Sequence, residues 1–316
     1  MNLGNNLDTY KPLVSVIIPT FNRAYCIQRC INSVLNQSYK NLECIVIDNN
    51  SNDNSNLIFE KYRDNRLKIY KINNNGIIAK SRNLGISKSK GEIIAFLDSD
   101  DWWKLNKVEI CINELNKGYD FIYHDLIIKD FSGKNSLIKR KYISSRKLHP
   151  SPKNYFLYTG NPIPLSSTLI SKRKIMDAGK FEEDNDLVGA EDFYLWIKLS
   201  LKKCKFKNLN IPLGYYSIND DSLTSSEKSI KYFKKIFRNL YEKKLVKNPK
   251  IKPWARLCIA FNLFQENKYE ECFKNILKSI LTLNYAVFLK SVFLMMIVIL
   301  KIIYKYLFSN YIKWNK

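Results

Sequence analysis

The sequence predicts an α/β protein: a mostly parallel sheet covered by helices on both faces, followed by a helical, basic C-terminal extension. Three observations carry that expectation. Short β-rich apolar runs alternate with helical periodicity through roughly the first hundred residues. Acidic residues stand where two of those runs end. Positive charge gathers late in the chain: residues 1–130 hold 17 basic against 15 acidic side chains, residues 131–230 hold 17 against 10, and residues 231–316 hold 18 against 4.

Length and composition set the frame. With 316 residues, 46% hydrophobic, 26% charged and only 10 Gly and 9 Pro, the chain is long enough for a deep core and unlike disordered or collagenous sequences. Its seven Cys (26, 30, 44, 111, 204, 258 and 272) form no C-x-x-C pair. That spacing argues against a disulfide framework or a zinc site and suits a reducing cytosol. Residues 1–11 are polar, without the basic and apolar regions of a secretory signal, so a cytoplasmic protein is expected.

The elements follow in order. Residues 14–18 (Val-Ser-Val-Ile-Ile) read as a buried strand that Pro19 stops. Cys26, Ile27, Cys30, Ile31, Val34 and Leu35 then recur on one helical face. A second strand over 43–48 ends at Asp48. A helix near 57–62 and a third strand near 67–72 come next. The turn Asn73-Asn-Asn-Gly76 leads into a helix over 77–87, and a fourth strand over 92–97 ends in Asp98-Ser-Asp-Asp101. From residue 130 the pattern loosens into a basic, Ser-rich stretch over 133–152. A helix returns at 191–201, and from Ser229 the apolar stripe Ile230, Phe233, Ile236, Phe237 and Leu240 marks a basic amphipathic helix. The expected domains are 1–220, with a nucleotide-binding part over 12–130 and an acceptor-side part over 131–220, and a tail over 221–316.

In open parallel sheets ligands bind outside the carboxyl ends of the strands, where Asp48 and the 98–101 cluster fall. Three Asp within four positions raise one another's pKa unless a cation is shared. Hard Mg²⁺ or Mn²⁺, held by one or two carboxylates and completed by substrate phosphates, is the natural remedy. That chemistry points to a diphosphate substrate. The alternative is a solvated acidic turn, or an Asp capping a helix that begins near Trp103.

The blocks Val14-Ser-Val-Ile-Ile-Pro-Thr-Phe-Asn22, Cys44-Ile-Val-Ile-Asp48, Ala79-Lys-Ser-Arg-Asn-Leu-Gly85, Phe96-Leu-Asp-Ser-Asp-Asp101, Gly179-Lys-Phe181 and Glu191-Asp-Phe-Tyr-Leu-Trp196 occur in that order over about two thirds of the chain. Together they resemble the family 2 glycosyltransferases of the GT-A fold. The resemblance implies that Pro19, Thr20 and Asn22 line a nucleotide pocket and that Asp48 accepts from a uracil N–H. It also implies that Arg82 lies near base and phosphates, Asp98 near the ribose, and Asp100 on the metal bridging the diphosphate. Asp101 and Trp103 would support them. As a bare feature Arg82 reads as a surface helix residue. Asn49 departs from the second Asp often found after the position of Asp48. Asp192 would be the base that takes the acceptor proton, with Glu191 the alternative or an acceptor contact. Gly160 and Asn161, followed by Ser166 and Ser167, resemble an acceptor-side segment. His124 and His149, each without a partner at ligand spacing, read as non-catalytic.

The tail carries an apolar stretch over 285–308 interrupted by Lys290, Lys301 and Lys305. Its uncharged run, 291–300, is ten residues, short of the roughly 20 that span a bilayer. An interfacial helix over about 285–308, flanked by Lys, Tyr and Trp314 and lying on anionic lipid, is expected, the alternative being a helix packed on the protein. No groove-reading or base-stacking module accompanies the charge, so nucleic acid is not expected. The resulting expectation is a metal-dependent, inverting, non-processive enzyme at the inner face of the cell membrane. It would join a sugar from a UDP-sugar, in β-linkage, to a saccharide on undecaprenyl diphosphate in O-antigen, capsule or exopolysaccharide assembly. The competing class is a non-catalytic GT-A-fold protein binding membrane or nucleic acid through its tail.

Overall fold

The computed structural model describes residues 11–131, 141–148, 151–218, 225–282 and 284–314, with side chains as far as Ile303. Two compact units emerge. The first comprises the described residues up to 153, with 161–185 and 191–218. The second takes 154–160, 186–190 and the described residues from 225 onward.

In chain order the strands are β1 (Val14–Thr20), β2 (Leu42–Asp48), β3 (Leu67–Lys71), β4 (Ile93–Phe96), β5 (Trp102–Trp103), β6 (Phe121–Asp130), β7 (Tyr142–Ile143), β8 (Leu169–Ser171) and β9 (Phe206–Ile218). The helices up to residue 201 are α1 (Ala24–Leu35), α2 (Ser55–Phe59), α3 (Ile78–Lys88), α4 (Lys107–Leu115), α5 (Pro152–Thr159), α6 (Lys172–Asp177) and α7 (Glu191–Leu201). The strands form one mixed sheet in the order β3-β2-β1-β4-β8-β6-β9-β5, with β7 on β6. The β3-β2-β1-β4 half is parallel, β8 is antiparallel to both β4 and β6, and β5 closes the far edge antiparallel to β9.

Both faces of β1 are covered, which explains its unbroken apolar run. Val14, Val16 and Ile18 join one core cluster with Ile27, Cys30 and Ile31 of α1 and Val108 and Cys111 of α4. Ile17 faces the other side, toward α3, where a Cβ on Gly85 would lie 2.4 Å from Ile17 Cγ2. Only glycine lets that helix approach so closely. The six α1 residues expected to be buried are the six that are.

Pro19 does not stop β1, which continues to Thr20 beside Asp48. The Ile17 carbonyl accepts from the Leu97 N–H just past β4. Pro19, two residues on, aims its ring nitrogen to the same side, beyond the last β4 residue, so no ladder bond is lost. Nor does a helix begin near Trp103: Trp102 and Trp103 pair with Tyr215 and Gly214 as β5, and α4 starts at Lys107. The stretch expected to loosen after residue 130 returns to the sheet as β8 and β9. The latter was hidden from pattern reading because Asn210 sits at φ +52° and the β6–β9 register shifts between Tyr123 and Leu126.

The second unit contains most of α5 and four further helices, α8 (Ser226–Glu242), α9 (Pro253–Gln265), α10 (Tyr269–Ile280) and α11 (Tyr285–Trp314). Trp254 of α9 meets Phe233 and Phe237 of α8 edge-on and donates to the Leu157 carbonyl (2.9 Å). Gly160, at φ +93°, leaves 2.8 Å between a hypothetical Cβ and that indole ring. Helix α11 buries Val287, Ser291, Leu294 and Val298, a 4-3-4 spacing, and Ser291 shares a buried hydrogen bond with Ser279 of α10 (2.8 Å). Phe288, Phe293, Met296, Leu300 and Ile303 remain exposed. The helix runs straight through Lys290 and Lys301, so the ten-residue limit drawn from the uncharged run does not hold. Tyr285–Ile303 is long and apolar enough to cross a membrane, by length and composition.

Candidate active site

The acidic groups converge at the carboxyl ends of β2 and β4 and at the start of α7, all within the first unit. Asn22, at φ +52°, turns the chain out of β1. Its N–H donates to Ser51 Oγ and its Oδ1 accepts from the Asn52 N–H, both at 2.9 Å, which ties the β1–α1 turn to the one after β2. Asp48 is fully buried and accepts from the Ser51 amide (3.2 Å) and hydroxyl. Thr20 is also buried, and its Oγ1 has no hydrogen-bond partner among the described residues.

Arg82 is not a surface residue. It is 3% exposed, with Nη2 on Asp98 Oδ1 (2.9 Å) and Nη1 on Glu191 Oε1. Burial works against its charge, but Asp98 and Glu191 outweigh that and raise its pKa further. One guanidinium thereby joins the end of β4 to the start of α7, 109 residues away. Removing it would take from buried Glu191 the cation that neutralises it.

Asp98 keeps a third of its side chain exposed, and its N–H donates to Ser166 Oγ (3.1 Å). Asp101 is buried and accepts from the Ser217 N–H of β9 (2.9 Å). Burial, then Asp100 and Asp98, push its carboxyl well up. Trp103 donates to the Ser166 carbonyl (2.7 Å), beneath the same loop. Ser166 and Ser167, in the segment that resembles an acceptor-side one, are both buried.

At the head of α7 the two neighbouring acids differ. Glu191 is 6% exposed and engaged by Arg82. Asp192 is half-buried and accepts from Asn161 Nδ2 (3.2 Å) and from the Phe193 N–H. Burial, reinforced by Glu191 and opposed by Arg82, pushes Asp192 up to about 7. Gly160 falls in the second unit and Asn161 in the first. His124 is fully buried, its Nδ1 2.7 Å from the Asp125 carbonyl, and burial lowers its pKa to about 3. It is a neutral core residue. His149 lies outside the described residues.

Tyr216, on β9, escaped sequence reading. Burial, then Asp101, Asp98, Asp100 and Asp192, raise its pKa, which puts a protonated hydroxyl in the field of all four acids. No motif marked it, since only the pairing of β9 with β5 and β6 carries it there. Buried Lys107, donating to the Thr168 carbonyl (3.2 Å) and lying 3.6 Å from the Trp103 ring centroid, was likewise unmarked.

Among the described residues no cluster of three His, Cys, Asp or Glu could hold a metal unaided. Asp98 accepts from Arg82 and Asp101 from the Ser217 N–H, and Asp100 between them carries a further hard carboxylate oxygen donor. Such a donor set fits Mg²⁺ or Mn²⁺ when substrate phosphates complete the shell.

Comparison with known proteins agrees with this architecture. The model of glycosyl transferase family 2 matches residues 15–179. The Escherichia coli UDP-Glc:alpha-D-GlcNAc-diphosphoundecaprenol beta-1,3-glucosyltransferase WfgD is 30% identical over 224 residues, 70% of this chain and 82% of that protein. A second E. coli protein of the same described activity, WfaP, is 28% identical over 262 residues, 83% of this chain and 96% of its own. Among solved structures, residues 1–349 of S. aureus TarS in complex with UDP superpose with TM-score 0.59 at 19% identity, covering 90% of this chain and 89% of that one. The Pyrobaculum calidifontis mannosyltransferase PcManGT, in complex with GDP-Man and Mn²⁺, gives 0.55 at 15%, covering 88% and 78%. These two likenesses speak for the GT-A fold.

Proposed function

The chain belongs to glycosyl transferase family 2 and is a glycosyltransferase, and from that premise we propose that it transfers a hexose from a UDP-sugar to an undecaprenyl-diphosphate-linked saccharide, in β-linkage. The observation that carries the reading is Asp192: a carboxylate with pKa near 7, beside the acid cluster that ends β4, in a chain whose relatives are described as acting on diphosphoundecaprenol sugars.

In this reading Pro19, Thr20, Asn22 and Asp48 hold the nucleoside, the unpartnered Thr20 hydroxyl finding its partner there. Arg82 and Asp98 flank the ribose and diphosphate, and Asn161 and Glu191 border the acceptor. Asp100 would hold Mn²⁺ or Mg²⁺, which when bound supplies Lewis-acid stabilisation of the departing diphosphate. Asp192 takes the proton of the acceptor hydroxyl as its oxygen bonds to the anomeric carbon; the bond to UDP breaks on the opposite face, with inversion. A base with pKa near the working pH is both deprotonated and strong enough for that task. Asn161 and the Phe193 N–H orient its carboxylate. The exposed apolar side of α11 and the basic tail hold the enzyme against anionic lipid at the inner membrane face, where a lipid-linked acceptor resides.

The test is transfer of labelled sugar from UDP-glucose, UDP-galactose and their N-acetyl forms to a GlcNAc-diphospho-lipid, with the product's anomeric configuration read by NMR. A β-linked product formed by wild type and lost in Asp192→Asn is expected. An α-linked product, or transfer from GDP- or TDP-sugars alone, would overturn the corresponding part.

A further inference from the structure

Helix α1 does more than cover the sheet. Cys26, Arg29 and Cys30 occupy i, i+3 and i+4, one face of the helix, and they address three consecutive carbonyls of the acidic loop. Cys30 Sγ points to the Asp98 oxygen (3.7 Å), Cys26 Sγ to that of Ser99 (3.5 Å), and Arg29 Nη2 to that of Asp100 (3.0 Å). Burial raises both thiols, Cys26 to about 11, so they stay protonated and serve as weak donors. The guanidinium is the strong donor of the three.

Arg29 is itself immobilised. Its Cζ lies 3.7 Å from the Trp102 ring centroid, and Trp102 stacks on Tyr215 at 4.8 Å and 12°. Ser217 of β9 reinforces the same point: its hydroxyl donates to the Asp100 carbonyl (2.6 Å) and lies 3.4 Å from Arg29 Nη2, and its N–H holds Asp101. The backbone at Asp100 is thus gripped from α1 and from β9 together, with the loop's carbonyls turned toward the helix.

We propose that Arg29 is a positioning residue for the donor-diphosphate site, fixing the conformation of the 98–101 loop and so the placement of the Asp100 carboxylate. The proposal rests on the reading of Asp100 as the residue that meets the donor's diphosphate and its divalent cation. Arginine suits the task because its planar fork can stack on an indole while bridging a carbonyl and a hydroxyl, which the lysine ammonium cannot.

The experiment is calorimetric binding of UDP to the full chain, with and without Mn²⁺, for wild type, Arg29→Met, Arg29→Lys, Ser217→Ala and Asp100→Asn, with circular dichroism as the check on folding. Arg29→Met should raise the Mn²⁺ concentration for half-maximal UDP binding by about tenfold or more, the range seen when groups behind a metal ligand are lost. Its metal-free UDP affinity should stay within about twofold of wild type, which a merely structural defect would not allow. Arg29→Lys should restore little, and Ser217→Ala should shift binding in the same direction by a smaller factor. If Arg29→Met fails to fold, Arg29→Lys and Ser217→Ala decide the matter. Wild-type behaviour of the folded Arg29 variants, or equal loss of metal-free and metal-dependent binding, overturns the role of Arg29 alone. Wild-type binding indifferent to Mn²⁺ and to Asp100→Asn overturns the donor-site reading, and this proposal with it.

Discussion

The two units use charge in opposite ways. In the first, charged groups are spent on one another or on the backbone: Arg82 between Asp98 and Glu191, Asp101 on Ser217, Arg29 on Asp100. In the second, the ion pairs Lys231–Glu227, Arg238–Glu242 and Lys274–Glu270 run along single helices at i, i+4, while its core is aromatic and aliphatic. After residue 230 the chain carries 18 basic and only 4 acidic side chains. Charge that builds a site is buried and few; charge that meets a surface is exposed and many.

The sharpest way to break the contrast is Asp192→Asn. If the first unit's buried charges do chemistry, kcat should fall by about 10²–10⁴-fold while vesicle binding is kept. Steady-state rates beside a sedimentation assay check both halves. Next comes Arg82→Met, which leaves Glu191 buried without its cation and should cost about 3–5 kcal/mol in urea unfolding. Lys274→Ala, in an exposed pair of the second unit, should leave the midpoint unchanged. Equal sensitivity at the two positions would dissolve the distinction.

A third prediction concerns α11. Replacing Phe293 and Met296 by Asp on its exposed face should weaken partition onto vesicles of phosphatidylglycerol by at least about tenfold, since each buried apolar side chain is worth about 1.5–3 kcal/mol. Metal-dependent UDP binding should not change. Unaltered sedimentation would mean that another surface meets the membrane.

Titration sharpens the comparison further. Asp192 must lose its proton to act, so kcat/KM should rise about tenfold per pH unit below pH 7 and level off above it. His124 gives a second, acid-side pH dependence. Its folded pKa is depressed to about 3 from 6.5, so the unfolded chain binds more protons between those values. The stability it contributes is fully present above about pH 6.5 and is lost as pH falls toward 3. His124→Phe should flatten that part of the stability curve.

Much of the parallel half was legible because strands buried on both faces read as continuous apolar runs and α1 repeats at the helical period. Asp98, Asp100 and Asp192 were legible as members of sequence blocks. The mixed half beyond β4 was not. Three residues of β8 carry no period, β9 passes through a left-handed Asn210, and Pro19 is harmless only because β4 has already ended. Arg82 read as a surface residue because nothing local reveals partners 16 and 109 positions away. Tyr216 and Arg29 were silent for the same reason: their place depends on sheet order rather than spacing.

The insertion of β8 between β4 and β6 also has a temporal side. β4 ends at Phe96, and the strand that covers its free edge begins at Leu169. At about 5–20 residues per second of synthesis, the ribosome takes several seconds to deliver that cover. During the interval the four parallel strands present an open row of backbone donors and acceptors, the kind of edge on which strands of other molecules can add. A growing chain is thus most vulnerable to intermolecular pairing midway through its own translation, and a pause before residue 169 would prolong the exposure.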